Sequence, residues 1–235
     1  MATAPILEIA GMRKQYQGLR PLRMTALSIL PGERVALSGL DAGAAEVFVN
    51  LVTGASVPDE GQVIVCGRAT ASISDGEEWL TWLDRFGIVS PRAVLLDAAT
   101  LLQNLAMPIT LDIEPVQADV AARVVGLAGD VGIPEALLDR PIAALGPAVR
   151  ARAHLVRAIA LDPALLIMEH PTVGFAAGEG KAFGETVASV ATARALTTLI
   201  ISEDTAFAEA AATRRLALNG ATGDLKPKRR GFFRL

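Results

Sequence analysis

Lysine is missing from the whole stretch between Lys14 and Lys181, cysteine occurs once, histidine twice and tyrosine once in 235 residues. Each scarcity removes a class of chemistry. A lone Cys66 excludes a disulfide framework, and one cysteine with two histidines falls short of an ordinary zinc site, so Cys66 reads as core and no metal is expected. The longest apolar runs, such as Ala164 to Met168, are far below the roughly 20 residues of a membrane span. The N-terminal residues show no basic-then-apolar leader, and the expectation from this is a cytoplasmic chain. A net charge of -3 gives no electrostatic footprint for nucleic acid. What remains is an ordinary globular composition, 51% hydrophobic, long enough for one large domain or one plus a small subdomain.

Short β-like runs alternate with longer helical stretches. Ile6 to Ala10, Met24 to Ile29, Arg34 to Ser38 and Gln62 to Cys66 read as strands, with Pro31-Gly32 and Pro58-Asp59-Glu60-Gly61 as turns. Gly87 to Ser90, Ala164 to Glu169 and Thr198 to Ser202 are short apolar runs, the pattern of strands buried on both faces of a parallel sheet. Between about Ala98 and Leu161 the pattern is almost wholly helical, broken at Gly132-Ile133-Pro134 and Asp139-Arg140-Pro141.

From Gly39 to Gly54 the chain reads GLDAGAAEVFVNLVTG, the outline of a phosphate-binding loop running into a helix. Set on G-x-x-x-x-G-K-[ST], the second glycine becomes Ala44, the lysine Ala45 and the hydroxyl residue Glu46, while Gly43 lies inside the loop. With no lysine nearby, no shift of register restores the pattern. A phosphate at a helix N-terminus is held by free N–H groups and the positive end of the dipole. The expected geometry is a helix starting near Ala44, with Asp41 as cap and Glu46 in the first turn. A carboxylate about 4 Å from a phosphate costs on the order of 4 kcal/mol per unit charge at an effective dielectric of about 20, roughly three orders of magnitude in affinity. Glu46→Ser should then ease the binding of phosphate or sulfate. An ordinary helix-start glutamate is the alternative.

The stretch Pro141 to Thr172 resembles the signature helix and Walker B strand of ATP-binding cassette ATPases. In that family the helix opens with L-S-G-G-Q, carries R-x-x-x-x-R-A-L and leads through D-P-x-L-L-L-x-D-E-P-T. Arg152, Arg157, Ala158, Asp162, Pro163, Leu165, Leu166, Pro171 and Thr172 stand at the matching positions. Asp59-Glu60-Gly61 and Gln103-Asn104-Leu105-Ala106-Met107-Pro108 extend the likeness, which runs roughly from Ile6 to Leu218. The resemblance implies an α/β fold of the P-loop NTPase kind, with a mostly parallel sheet, N-terminal antiparallel strands and a helical subdomain. On this reading residues 1–97 form the first part of the core, 98–161 the helical subdomain and signature helix, 162–225 the second part of the core, and 226–235 a basic tail.

The functional positions depart from the family. The signature becomes Leu145, Gly146, Pro147, Ala148 and Val149: the serine is gone, and Pro147 either removes an N–H that could face a phosphate or simply begins a helix. Glu169 stands for the magnesium-holding aspartate and His170 for the glutamate that polarises water. Pro91 replaces the glutamine after the strand, Glu203 the switch histidine, and Ala176 the aspartate after the Pro-Thr turn. A histidine can act as a general base, but without a positioned phosphate His170 is read as hydrogen-bonding near the end of its strand. Tyr16, where the family stacks an aromatic on adenine, is the one nucleotide contact that persists, and packing explains it equally.

Among residues off the motifs, His154 reads as an interface histidine and Trp79 with Trp82 as one face of a helix, core by default or a partner groove. The tail from Lys226 to Leu235 holds five cations interleaved with Phe232 and Phe233, which would dock on anionic lipid at roughly 1 kcal/mol per cation or stay solvated. The expected chain is a degenerate cassette subunit without ATP hydrolysis, cofactor or catalytic residue, peripheral to the inner face of the membrane. The resemblance implies a transmembrane permease partner, gripped around Ser90 to Met107, and a second cassette-like chain. A nucleotide-binding regulatory module and an atypical active ATPase using ATP and magnesium are the alternatives.

Overall fold

The structure, a computed structural model, describes residues 3–73 and 75–228. Its elements in chain order are β1 (Leu7–Lys14), β2 (Leu22–Ile29), β3 (Arg34–Ser38), α1 (Ala42–Val52), β4 (Glu60–Val65), β5 (Arg68–Ala69), α2 (Gly76–Leu83), β6 (Phe86–Val89), α3 (Leu101–Ala106), α4 (Ala118–Asp130), α5 (Pro147–Ile159), β7 (Leu165–Glu169), α6 (Glu179–Ala193), β8 (Thr197–Ile201), α7 (Thr205–Ala211), β9 (Arg214–Leu218) and β10 (Leu225–Pro227). Two sheets result. One is antiparallel, ordered β2-β1-β4-β5, with Leu7 facing Ile29 and Lys14 facing Leu22. The other, ordered β10-β9-β3-β8-β7-β6, is parallel except at its β10 edge.

The apolar runs of β7 and β8 are buried at every position because helices or the antiparallel sheet cover both faces. On one face α1 presents Ala44, Ala45, Phe48, Val49 and Val52, spaced as one helical stripe, to a cluster shared by both sheets. On the other, Leu101, Leu105, Val124, Leu155, Val187 and Phe207 share a second cluster with Val89 and Met168. The helical part therefore packs on the sheet through one continuous apolar body. Among the described residues no helix is long and apolar enough to cross a membrane.

Several expectations need correction. The block after Ala98 is not wholly helical: residues 107–117 carry no α-helix, and single 3-10 turns at Glu135–Leu137 and Ile142–Ala144 join α4 to α5. Lys226 and Pro227 belong to β10, which pairs with β9, so the tail does not begin at 226; Arg229 to Leu235 lie outside the described residues. Cys66 is only partly buried and sits at positive φ in the tight turn between β4 and β5, which keeps it from the core centre. The Trp79–Trp82 face, by contrast, is core as its default reading had it: Trp82 is buried edge-on to Phe86 and Trp79 donates its indole N–H to the Thr53 carbonyl.

Candidate functional site

The loop between β3 and α1 keeps its shape for reasons internal to the sheet. Gly39 has φ +90, and a Cβ there would lie 2.5 Å from the Leu218 carbonyl oxygen at the end of β9. Leu40 is fully buried, and Asp41 then caps α1 by accepting from the Ala44 N–H at 2.8 Å. The helix starts at Ala42, two residues earlier than the sequence suggests, because the Asp41 side chain starts hydrogen bonding at once. Glu46 is consequently not in the first turn, and Ala45, at the lysine position, is fully buried. Glu203 accepts from the Gly39 N–H at 2.6 Å. Two of the loop's donors are thus held by carboxylates of the chain itself. Tyr16 leans over the same turn: a Cβ on Gly43 would lie 3.8 Å from its ring, and one on Gly18 would collide with it at 2.4 Å.

A guanidinium bridges the carboxylates of α1 and β7. Arg92 reaches Glu46 with one nitrogen at 2.6 Å and Glu169 with the other at 2.7 Å. Glu169, at the end of β7 and 3% exposed, also accepts from the Ser90 hydroxyl at 2.9 Å. Arg92 and Glu46 are 41% and 49% exposed, so the bridge runs from a dry end to a wet one. Burial is the largest influence on Arg92 and opposes its charge. The hydrogen bond and charge of Glu169, followed by those of Glu46, outweigh it and raise the guanidinium above its ordinary pKa. Such charge-assisted pairs are among the stronger hydrogen bonds. These residues do not fit magnesium: the two carboxylates nearest to metal-site positions are already neutralised by a fixed cation. Among the described residues no group of three or more His, Cys, Asp or Glu is placed to hold a metal.

His170 follows β7 at φ +41, and its backbone N–H donates to the Ile201 carbonyl at 2.8 Å. The side-chain bond expected from the sequence is not at Nε2, which is buried and unpartnered among the described residues. The signature residues form the entry to α5: Leu145 ends a 3-10 turn, Gly146 is the N-cap without a side-chain bond, and Pro147 is the first helical residue, followed by Ala148 and Val149. Pro147, Ser90, Pro91, His154 and His170 line one small cleft.

His154 is pushed down to about 4, first by burial and then by the charges of Arg157 and Arg150. It is therefore neutral at pH 7. An unfolded histidine protonates near pH 6.5, so the folded state loses stability relative to the unfolded one as pH falls from about 6.5 to about 4. His154→Leu should reduce this loss, read as a smaller drop in the urea midpoint across that window than in the unmodified chain. An equal drop in both would show that His154 does not set the acid limb.

Sequence reasoning missed Arg92 and Ser90. Two carboxylates at positions that normally share a cation, with an arginine directly after Pro91, was the available signal.

No family model matches the chain. It is 27% identical over 202 residues to the Fe(3+) ions import ATP-binding protein FbpC of Mesorhizobium japonicum, covering 86% of this chain and 54% of that protein. It is 29% identical over 175 residues to the lipoprotein-releasing system ATP-binding protein LolD of Saccharophagus degradans, covering 72% and 75%. With the methionine import ATP-binding protein MetN of Brucella abortus it shares 28% over 170 residues, 72% of this chain and 45% of that one. The chain thus spans about half the length of FbpC and MetN. Among solved structures, cbiO1 of Clostridium perfringens, part of the ABC transporter complex cbiONQ, superposes with a TM-score of 0.79 at 19% identity, covering 95% of this chain and 87% of that one. A dimeric ATP-binding cassette in a post-hydrolysis state with ADP and Pi gives 0.76 at 19%, covering 96% and 100%. The fold is that of these cassettes, the P-loop NTPase α/β arrangement expected from the sequence.

Proposed function

We propose that this chain, whose fold and sequence likeness are those of an ATP-binding-cassette nucleotide-binding domain, does not hydrolyse ATP and serves as a structural or regulatory subunit beside a transmembrane permease. Arg92 supports this reading, because it bridges Glu46 and Glu169, the positions at which the resemblance puts the magnesium-site hydroxyl and aspartate. Phosphoryl transfer depends almost wholly on positioning and charge stabilisation, and neither is left to offer. The permease would dock on the groove between core and helical part, a cavity of about 330 Å³ lined by Phe86, Ile88, Met107, His154, Arg157 and Leu161. Arg157 donates to the Val94 carbonyl at 2.6 Å, two residues beyond Arg92, so the groove rim is continuous with the bridge. Lys226 and Lys228, with the cations that follow them in sequence, would add attraction to anionic headgroups at the inner face of the membrane.

Cassettes of this family pair head to tail, each signature facing the other's loop. Here Pro147 lacks the N–H donor and Gly146 the hydroxyl of a working signature, and the opposing loop would meet Ala45 and Glu46. Magnesium-ATP should therefore not change the oligomeric state. Light scattering after size exclusion, with and without magnesium-ATP, checks this; an ATP-dependent shift from monomer to dimer would favour a nucleotide-gated module instead.

A further inference from the structure

The antiparallel sheet sets two arginines directly against each other. Arg13 of β1 faces Arg23 of β2, and on its other side Arg13 faces Glu60 of β4. Like charges opposed across a strand pair are destabilising. The register cannot slip to relieve them, because the adjacent pair, Met12 and Met24, is buried, and a one-residue shift of β2 would carry Met24 to the solvent face. Glu60 neutralises only one of the two, pairing with a terminal nitrogen of Arg13. Arg13 Nε is buried without a partner, and Arg23 is exposed and makes no hydrogen bond or ion pair among the described residues. These side chains border a cavity of about 450 Å³ that is also lined by Gly11, Thr25 and Thr222. Gly11, at φ +58 where the β1–β4 register shifts, adds room, since a Cβ there would meet nothing within 4 Å. The turn that carries Thr222 is tied to β2 by the Thr25 N–H, which donates to the Gly223 carbonyl at 2.9 Å. The Thr222 hydroxyl accepts from the Asp224 N–H at 3.3 Å and keeps its own proton to donate.

We propose that this cavity binds a soluble phosphate monoester with a hydroxyl-bearing body, its phosphate held by Arg13 and Arg23. A guanidinium presents paired planar donors that match phosphate oxygens, and here two of them lie side by side with donors to spare. Two cations and one carboxylate leave the lining positive, so a dianion replaces the Arg13–Arg23 repulsion with attraction to both. The cavity is within the size range of small-molecule sites and has room for more than a bare phosphate. The body of the ligand is polar because the lining is: Met12 and Met24 turn their side chains into the core, leaving backbone and threonine hydroxyls to meet it. Phosphatidic acid carries the same phosphate chemistry, but no exposed apolar side chain lines the cavity to enter a bilayer, which favours a soluble source. Neither Tyr16 nor any residue of the β3–α1 loop belongs to this lining.

The test uses glucose 6-phosphate and its uncharged counterpart glucose, titrated calorimetrically at low salt in a buffer free of phosphate and sulfate. Glucose 6-phosphate should bind at least about ten-fold more tightly than glucose, as expected of charge-assisted hydrogen bonds, and should weaken as salt is raised. Arg23→Gln should weaken it by about ten-fold and, with the repulsion removed, leave the urea midpoint of the free protein unchanged or higher. Glu60→Gln, which frees Arg13, should tighten binding several-fold, a gain that a purely structural Arg13–Glu60 pair would not produce. Equal affinities for the two sugars, binding untouched by Arg23→Gln, weaker binding in Glu60→Gln, no saturation at several millimolar, or attachment to phosphatidic acid vesicles without binding of the soluble ester would each overturn the proposal. The site shares no residue with those on which the loss of hydrolysis rests, so magnesium-dependent turnover would overturn that reading and leave the difference between the sugars standing.

Discussion

Arg92→Leu should lower the stability of the folded chain by about 2–4 kcal/mol, because it strands the Glu169 carboxylate, 3% exposed, without its cation. The lower part of that range reflects the partial exposure of Arg92 itself. For a chain of this size the melting temperature should fall by roughly 5–15 °C. Glu46→Ala should cost at most about 1 kcal/mol, since Glu46 is half exposed and Arg92 keeps its other partner. Glu169→Gln introduced into Arg92→Leu should return part of the loss, as the buried group no longer carries a charge. Urea unfolding of the singles and the double closes this cycle. If Arg92→Leu and Glu46→Ala cost the same, or if the double variant is simply additive, the bridge is a surface contact and does not hold the site together.

Magnesium-ATP should bind no more tightly than millimolar, and turnover should be absent. Glu46 contributes less repulsion than the sequence suggests, since α1 begins at Ala42 and Arg92 neutralises the carboxylate. Most of the barrier comes from occupied donors and from the missing lysine. Freeing the Gly39 N–H by Glu203→Ala should accordingly help sulfate or phosphate bind more than Glu46→Ser does. A micromolar dissociation constant for magnesium-ATP in the unmodified chain would sink this expectation, as would turnover lost in His170→Ala.

Much of the fold was legible because it rests on local pattern. Continuous apolar runs at β7 and β8 gave strands buried on both faces, and the loop outline from Gly39 gave the turn that joins β3 to α1. Strands β9 and β10 were not legible, for β9 opens on Arg214 and Arg215 and buries only Leu216 and Leu218, too few for a period to show. The Arg92 bridge was hidden by distance, since Arg92 and Glu169 are 77 residues apart. No spacing rule links them; only the parallel pairing of β6 with β7 brings Ser90 and Arg92 alongside the end of β7. The early start of α1 turned on one side-chain bond at Asp41, below the resolution of any periodicity.

Gly39 is the residue that gives the loop its family look, yet its neighbour is a carbonyl of β9, which leaves no room for a side chain. Sheet packing alone accounts for that glycine. The outline of such a loop is thus preserved mechanically whatever its chemistry, and intolerance of substitution at Gly39 would report the adjoining strand and carry no information about cargo, nucleotide or turnover.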